Sequence, residues 1–113
     1  MTYVKIKDRE IAATISGNRN DRSWDGRDCK TIRCAMTYED AVALFPNDVD
    51  WSIMYVPEPY EDENGETVIP ETEIYDNSEY CVSGDIIDHR DGTVSVKMGK
   101  PTDAELLAII MGG

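Results

Sequence analysis

The sequence predicts an α+β domain, built on a mostly antiparallel sheet of about five to six strands with two short helices at residues 37–45 and 102–111. Several segments alternate apolar and polar residues with the period of two that is typical of strands. Two other segments change to helical spacing. A chain of 113 residues with 41% hydrophobic content is the size of one hydrophobic core. We therefore expect a single domain over residues 1–113.

The N-terminal third predicts a β-hairpin, a polar loop and a third strand. Residues 3–7 and 11–16 each alternate, and the polar residues between them suit a turn. Residues 17–28 are rich in Gly, Asn and Asp, which favours a loop around Trp24. Residues 29–36 alternate again.

The first helix is predicted to begin after Thr37, whose side chain can accept a hydrogen bond from a free backbone N–H of the first turn. Pro46 disfavours helical geometry beyond residue 45. Helical spacing predicts that one face of this helix packs inward, namely Tyr38, Ala41, Val42 and Phe45.

A strand containing Trp51, Ile53 and Tyr55 precedes the most acidic part of the chain. Nine of the 22 residues from 58 to 79 are acidic, and three prolines nearby oppose a continuous helix or central strand. We therefore expect a mobile acidic excursion at about 57–79. Asn64-Gly65 at its centre is a turn signal that allows a protruding hairpin.

The C-terminal third predicts a second hairpin and a second helix. Asp91-Gly92 lies between two alternating segments, which is a strong hairpin signal. Thr102 and Glu105 have the spacing of a capping box. An apolar stripe follows and two glycines then end the helix: Leu106, Leu107, Ile109 and Ile110, followed by Gly112 and Gly113.

The charge of this chain is unevenly distributed. Residues 1–35 sum to +3, residues 36–88 contain no Lys or Arg and sum to −15, and the remainder sums to zero, which gives −12 in total. An acidic chain of this kind is poorly suited to an extended nucleic-acid surface, because neutralising phosphates requires clustered Lys and Arg. Basic protein partners fit better, although acidic surfaces also serve solubility alone.

The sequence offers little support for catalysis. It contains no glycine-rich phosphate loop, no dinucleotide fingerprint and no nucleophile elbow. Every nucleophile–histidine pair depends on the single histidine, His89. We expect no enzymatic activity, no cofactor and no metal. A metal-dependent hydrolase is kept as a minor alternative, with Asp85, Asp88, His89 and Asp91 as its residues.

Two groups of residues are candidates for protein contacts. The first surrounds Trp24 with arginines, a combination that is frequent in binding hot spots: Arg19, Arg22, Trp24 and Arg27. Interspersed aspartates leave a structural tryptophan as the alternative for this group. The second is the centre of the acidic excursion: Glu61, Asp62, Glu63 and Glu66.

Five segments carry a resemblance that extends over most of the chain: YVKIKDREIAATISG, WDGRD, MTYEDAVALF, YDNSEYCVSGDI and HRDGTVSVKMGKPTD. They resemble small uncharacterised proteins carried in prophages of Firmicutes. This resemblance implies a phage-related origin and identifies no catalytic or ligand residue.

Charge and resemblance together predict a non-enzymatic assembly or protein-binding module, with a virion- or tail-associated role. Its partners would be further copies, virion proteins or a basic host protein, without direct contact to nucleic acid or membrane. The alternative is an acidic phage-encoded inhibitor that imitates nucleic acid and acts on a host defence or nucleic-acid-binding protein. In both cases we expect the chain to be made in the host cytoplasm.

Overall fold

The computed structural model describes residues 1–110, with side chains up to residue 108. These residues form nine strands, one 3-10 turn and two helices. Their bounds are β1 Thr2–Ile6, β2 Arg9–Asp21, the 3-10 turn Arg22–Trp24, β3 Arg27–Ala35, α1 Tyr38–Leu44, β4 Ser52–Tyr55, β5 Tyr60–Glu61, β6 Thr67–Val68, β7 Glu73–Asp76, β8 Val82–Asp88, β9 Thr93–Gly99 and α2 Asp103–Ile110.

The strands form one seven-stranded sheet in the order β7-β4-β1-β2-β3-β9-β8, and a separate pair, β5-β6. All neighbouring strands are antiparallel. The α+β class and the antiparallel sheet are therefore as predicted, but the number of strands is higher than five to six. The additional strands, β5 to β7, all lie in residues 57–79, where the sequence predicted a mobile excursion that allows a hairpin at its centre but no strand of the main sheet. The prolines flank these short strands and β7 is an edge strand, so proline interrupts no central ladder.

The predicted first hairpin is present, but its second strand is much longer than expected. β2 continues through residues 17–21, which were predicted to be loop, and pairs there with the start of β3. The polar side chains of this stretch are compatible with a strand because residues 16–20 are exposed to solvent. The chain reverses at Asp25 and Gly26, both with positive φ.

The main core lies on one face of the sheet, where the inward-facing side chains of the strands meet α1. Its members are Val4, Ile6, Ile32, Cys34, Ala41, Phe45, Trp51, Ile53, Val94, Val96 and Met98. Trp51 lies at the start of β4, and its Nε1 donates to the backbone oxygen of Tyr80 at 3.0 Å. This bond connects the core to the chain that enters β8.

The first helix begins and ends as predicted, but half of its expected inward face is wrong. Thr37 Oγ1 accepts a hydrogen bond from the backbone N–H of Asp40 at 3.1 Å. Ala41 and Phe45 are buried, whereas Tyr38 and Val42 are 49% and 48% exposed. A helix of two turns meets the sheet along one line of residues four apart, so positions to the side of that line remain in solvent.

The C-terminal hairpin and the capping box of Thr102 and Glu105 are confirmed. β8 and β9 are joined by a turn in which Gly92 has a φ of +88°. Thr102 and Glu105 exchange hydrogen bonds of 2.9 and 3.3 Å. In the predicted apolar stripe, Leu106 and Leu107 are exposed. The side chains of Ile109 and Ile110, residue 111 and the terminal glycines lie outside the described part of the chain.

Candidate interaction surfaces

The Trp24 loop is held against the open face of the sheet by charged side chains. Arg27 lies with its guanidinium carbon 4.7 Å from the centre of the Trp24 ring, and Lys97 lies with its Nζ 5.6 Å from it. Gly84 and Gly99 lie beneath the ring and leave room for it, because a Cβ on either residue would come within 3 Å of the indole. The tryptophan is therefore half-buried within its own chain.

Arg27 is the most buried of the predicted contact residues, with 5% of its surface exposed. Its guanidinium donates to both carboxylate oxygens of Glu105, at 2.5 and 3.2 Å, and to the backbone oxygen of Lys100 at 2.8 Å. The Arg27 guanidinium lowers the pKa of Glu105 to about 2, and the backbone N–H of Thr102 contributes in the same direction.

Asp21 provides a second buried charge in the same region. It forms an ion pair with Lys97, and its Oδ1 accepts from the backbone N–H and the hydroxyl of Ser23. The hydrogen bond from Lys97, followed by that from Ser23, holds the pKa of Asp21 far below its ordinary range. The Asp21 hydrogen bond in turn raises the pKa of Lys97. These charges are satisfied within the chain.

Arg27 and Trp24 therefore make their contacts within the chain, as the structural alternative expects, and a protein contact by this group stays a prediction. Arg19 and Arg22 are exposed, and neither has an ion-pair partner in residues 1–110. Only these two arginines of the original group remain available to a partner. The aspartates between these arginines were the sequence signal for a structural tryptophan. One of them, Asp21, holds the loop through its bonds with Ser23 and Lys97.

The predicted hairpin within the acidic excursion is present. β5 and β6 pair with each other, and the turn between them is organised by Asp62, whose Oδ1 accepts from the backbone N–H groups of Asn64 and Glu66 at 2.9 Å each. Gly65 has a φ of +76°. The other three acidic residues at this tip are exposed, namely Glu61, Glu63 and Glu66.

We call residues 57–76 the acidic segment. It comprises this hairpin and β7, which forms the outer edge of the main sheet beside β4. None of its eight Asp and Glu side chains forms an ion pair with the described residues. Exposed apolar side chains lie among these acids, namely Tyr60, Ile69, Ile74 and Tyr75. Tyrosine is a residue type that is enriched in protein interfaces, whereas Asp and Glu are depleted there.

A basic groove, which the sequence did not predict, lies where β2 ends. It has a volume of about 790 Å³, and Arg19, Lys30, Tyr80 and Lys100 line it. The Nζ atoms of Lys30 and Lys100 lie 4.6 and 5.1 Å from the Tyr80 ring centre. Burial lowers the pKa of Lys30, and Lys100 acts in the same direction, whereas Glu79 raises it. These residues come from four distant parts of the sequence, so no local pattern could have identified the groove.

The residues of the hydrolase alternative do not form a site. His89 Nε2 is 2.7 Å from Ser95 Oγ, while Asp88 and Asp91 accept hydrogen bonds from backbone N–H groups of their own turn. No group of three or more His, Cys, Asp or Glu side chains within residues 1–108 is arranged to hold a metal ion. The local turn, rather than a ligand, accounts for the orientation of these side chains.

Comparisons with known proteins add no assignment: no protein-family model matches the chain, and no curated protein or solved structure shows significant similarity to it. Among the helices that the structure describes, none is long and apolar enough to cross a bilayer.

Proposed function

We propose that this protein is a non-enzymatic protein-binding and assembly module, and that its acidic segment binds a cationic protein surface. The observation that carries this proposal is the set of eight acidic side chains in residues 57–76, none of which has a cationic partner among the described residues. Such a surface attracts a basic partner and disfavours an acidic one.

The hairpin of the acidic segment forms its own two-stranded sheet and does not pair with the main sheet. Its backbone pairing and its side-chain hydrogen bonds are confined to residues 60–68, as far as the described residues show. Residues at the tip can therefore enter a partner's surface without disturbing the fold. The resemblance to prophage proteins supports a role in a phage-type assembly, associated with the virion or its tail, after synthesis in the host cytoplasm.

A second candidate is an acidic inhibitor that imitates nucleic acid and occupies the cationic groove of a host protein. The specific observation in its favour is the concentration of four carboxylates at the hairpin tip, Glu61, Asp62, Glu63 and Glu66, on a narrow protrusion. Carboxylates on a protruding element can meet the cationic groups that normally bind phosphates. This candidate requires a nucleic-acid-binding protein as the partner.

The test compares two variants with equal changes in charge. The tip variant carries E61Q, D62N, E63Q and E66Q, and the control variant carries E10Q, E39Q, D48N and D50N. The D62N change retains the side-chain oxygen that organises the turn. Each protein is used as bait in a phage-infected host lysate, and retained proteins are identified by mass spectrometry between about 0.1 and 1 M salt, where the Debye length falls from about 10 to 3 Å.

We expect the wild type and the control variant to retain the same basic proteins at low salt, and the tip variant to retain far less of them. Recovery of virion proteins supports the assembly module, and recovery of a nucleic-acid-binding enzyme that nucleic acid displaces supports the inhibitor. Equal retention by all three proteins, or retention that does not weaken with salt, contradicts both.

A further inference from the structure

One side of β2 is paired with another strand only over its first residues, and the rest of that side is unpaired. β1 pairs only with its first four residues, 9–12, whereas β3 pairs with its other side as far as Asp21. No strand of the described chain therefore covers one side of residues 14–19, which we call the free edge. Backbone N–H and C=O groups on an uncovered strand side are a template for adding another strand.

Side chains at both ends of the free edge favour a specific kind of added strand. At one end a groove of about 670 Å³ is lined by Thr14, Ile15 and Tyr55 among others. At the other end lies the basic groove, with Arg19, Lys30 and Lys100. Two acids also lie near it, and both have partners: Asp28 accepts from the backbone N–H of Asn20 at 3.0 Å, and Glu79 is 3.6 Å from Lys100. Lys30 lies on β3, on the covered side of β2, and its Nζ donates to Oδ1 of Asn77. Arg19 is the cation on the free edge itself, and it is exposed without an ion-pair partner in the described residues, so it favours an added strand that carries negative charge.

β7 has the complementary properties. It pairs with β4 on one side, and within residues 1–110 no strand covers its other side. Glu71, Glu73 and Asp76 are exposed there, and none of them has an ion-pair partner in the described residues. The same chain thus has an acidic edge strand, β7, and an unpaired side of β2 in the middle of the sheet that carries Arg19.

We propose that the free edge of β2 binds β7 of a second copy as an additional antiparallel or parallel strand. This inference rests on the proposed function and identifies one partner of the acidic segment as the protein itself. Main-chain hydrogen bonds provide the attachment, as in other strand additions, and Arg19 favours an acidic strand. Pairing of β7 with β7, or of the free edge with itself, brings like charges together and is disfavoured.

A contact between two different surfaces leaves one surface unused on each terminal copy, so it generates chains or closed rings. We therefore expect association that increases with protein concentration and weakens with salt. Sedimentation velocity on the full-length chain measures it. R19E reverses the charge at the free edge, and R9E, in the part of β2 that β1 covers, is its matched control. E73K reverses the charge on β7, and D50K, at an exposed acid in the loop before β4, is its matched control.

We expect R19E and E73K each to weaken self-association by roughly tenfold or more, and the two controls to change it little. In a mixture of R19E with E73K, β7 of the first variant meets the native free edge of the second, and the reversed charge on the free edge of the first meets the reversed charge on β7 of the second. Both contacts therefore join opposite charges, and the mixture should recover the association that each variant loses alone. Backbone amides of residues 14–19 should become protected from hydrogen exchange in these assemblies.

Different results separate this inference from the proposed function. If R19E and E73K associate like the wild type while the tip variant fails to retain its lysate partners, the proposed function stands and the strand addition is wrong. If the mixture associates no more strongly than either variant alone, or the wild type stays monomeric at all concentrations and salt levels, the strand addition is also wrong. Dimers formed by R19E alone indicate pairing of like edges instead.

Discussion

Arg27 on β3 and Glu105 on α2 form a bidentate ion pair, with N–O distances of 2.5 and 3.2 Å, across 78 residues of sequence. The guanidinium also donates to the backbone oxygen of Lys100, at the end of β9. Leu106 and Leu107 are exposed, so among the side chains described for α2 it is this polar contact of Glu105 that connects the helix to the sheet.

Replacing Arg27 should therefore destabilise the whole domain. R27A removes the partner of Glu105 and the cation beside Trp24, and leaves a void where the side chain is buried. We expect the free energy of unfolding to fall by at least about 2 kcal/mol. R22A, at an exposed arginine of the same loop, should change it by less than about 0.5 kcal/mol. Urea denaturation measures both, and equal values would show that Arg27 has no structural role.

The same ion pair predicts how stability depends on pH. The pKa of Glu105 falls from 4.5 to about 2 on folding, so its ionised form is the one that the folded state favours. This contribution is complete above 4.5 and is lost as the pH falls toward about 2. Asp21, whose pKa is also lowered, acts in the same direction.

We expect the wild type to have a higher Tm than E105Q at neutral pH, and this difference to shrink steadily in acid and vanish near pH 2. D103N, which changes an exposed acid of the same helix with no ion pair in the described residues, should not show this convergence. Thermal unfolding followed by circular dichroism gives the three curves. A difference that is constant with pH would contradict the role of the pair.

Local patterns predicted much of this fold correctly. The alternation before and after Lys7, the Thr37 cap and the Asp91-Gly92 turn are each encoded within a few residues, and the structure confirms them. β7 was missed because a four-residue acidic edge strand has no buried face, and its pairing with β4 depends on a partner about 20 residues away.

The candidate surfaces were harder to predict for a related reason. The sequence correctly placed a hairpin at the acidic tip, since Asn64-Gly65 is a local signal. It could not show that Arg27 turns inward, because its partner Glu105 is distant in the chain. The free edge of β2 was also invisible, because it results from the unequal lengths of β1 and β2.

Gly99 should tolerate no side chain. A Cβ there would lie 2.9 Å from Cζ3 of Trp24 and would also overlap the Arg27 side chain. We expect G99A to lower the free energy of unfolding by about 1–3 kcal/mol through overpacking. G17A is the control, because a Cβ on Gly17 would meet nothing within 4 Å and the φ of this residue is not positive. It should be neutral or stabilise by up to about 1 kcal/mol. Denaturant melts compare them, and a harmless G99A would mean that Trp24 does not pack there.

The two sides of α1 should respond differently to truncation. F45A deletes a buried aromatic ring of the core and should cost about 3–5 kcal/mol. V42A, on the exposed side of the same helix, should change the free energy of unfolding by no more than about 0.5 kcal/mol. Equilibrium denaturation in urea measures both. A large cost for V42A would show that the helix packs on the face predicted from its sequence.

The three cysteines should differ in reactivity in the folded protein. Cys29 and Cys34 are buried, and burial raises the pKa of both thiols. Cys29 is further protected because its Sγ lies 3.6 Å from Oδ2 of Asp21, and this contact with a carboxylate also disfavours the thiolate. Cys81 is only partly buried.

Since alkylation requires an accessible thiolate, iodoacetamide should modify Cys81 first under native conditions, and Cys29 and Cys34 only at the rate at which the protein opens. Peptide mass spectrometry after short exposure identifies the modified residue, and the same reaction in urea, where all three should react, is the control. Early modification of Cys29 would contradict both its burial and its contact with Asp21.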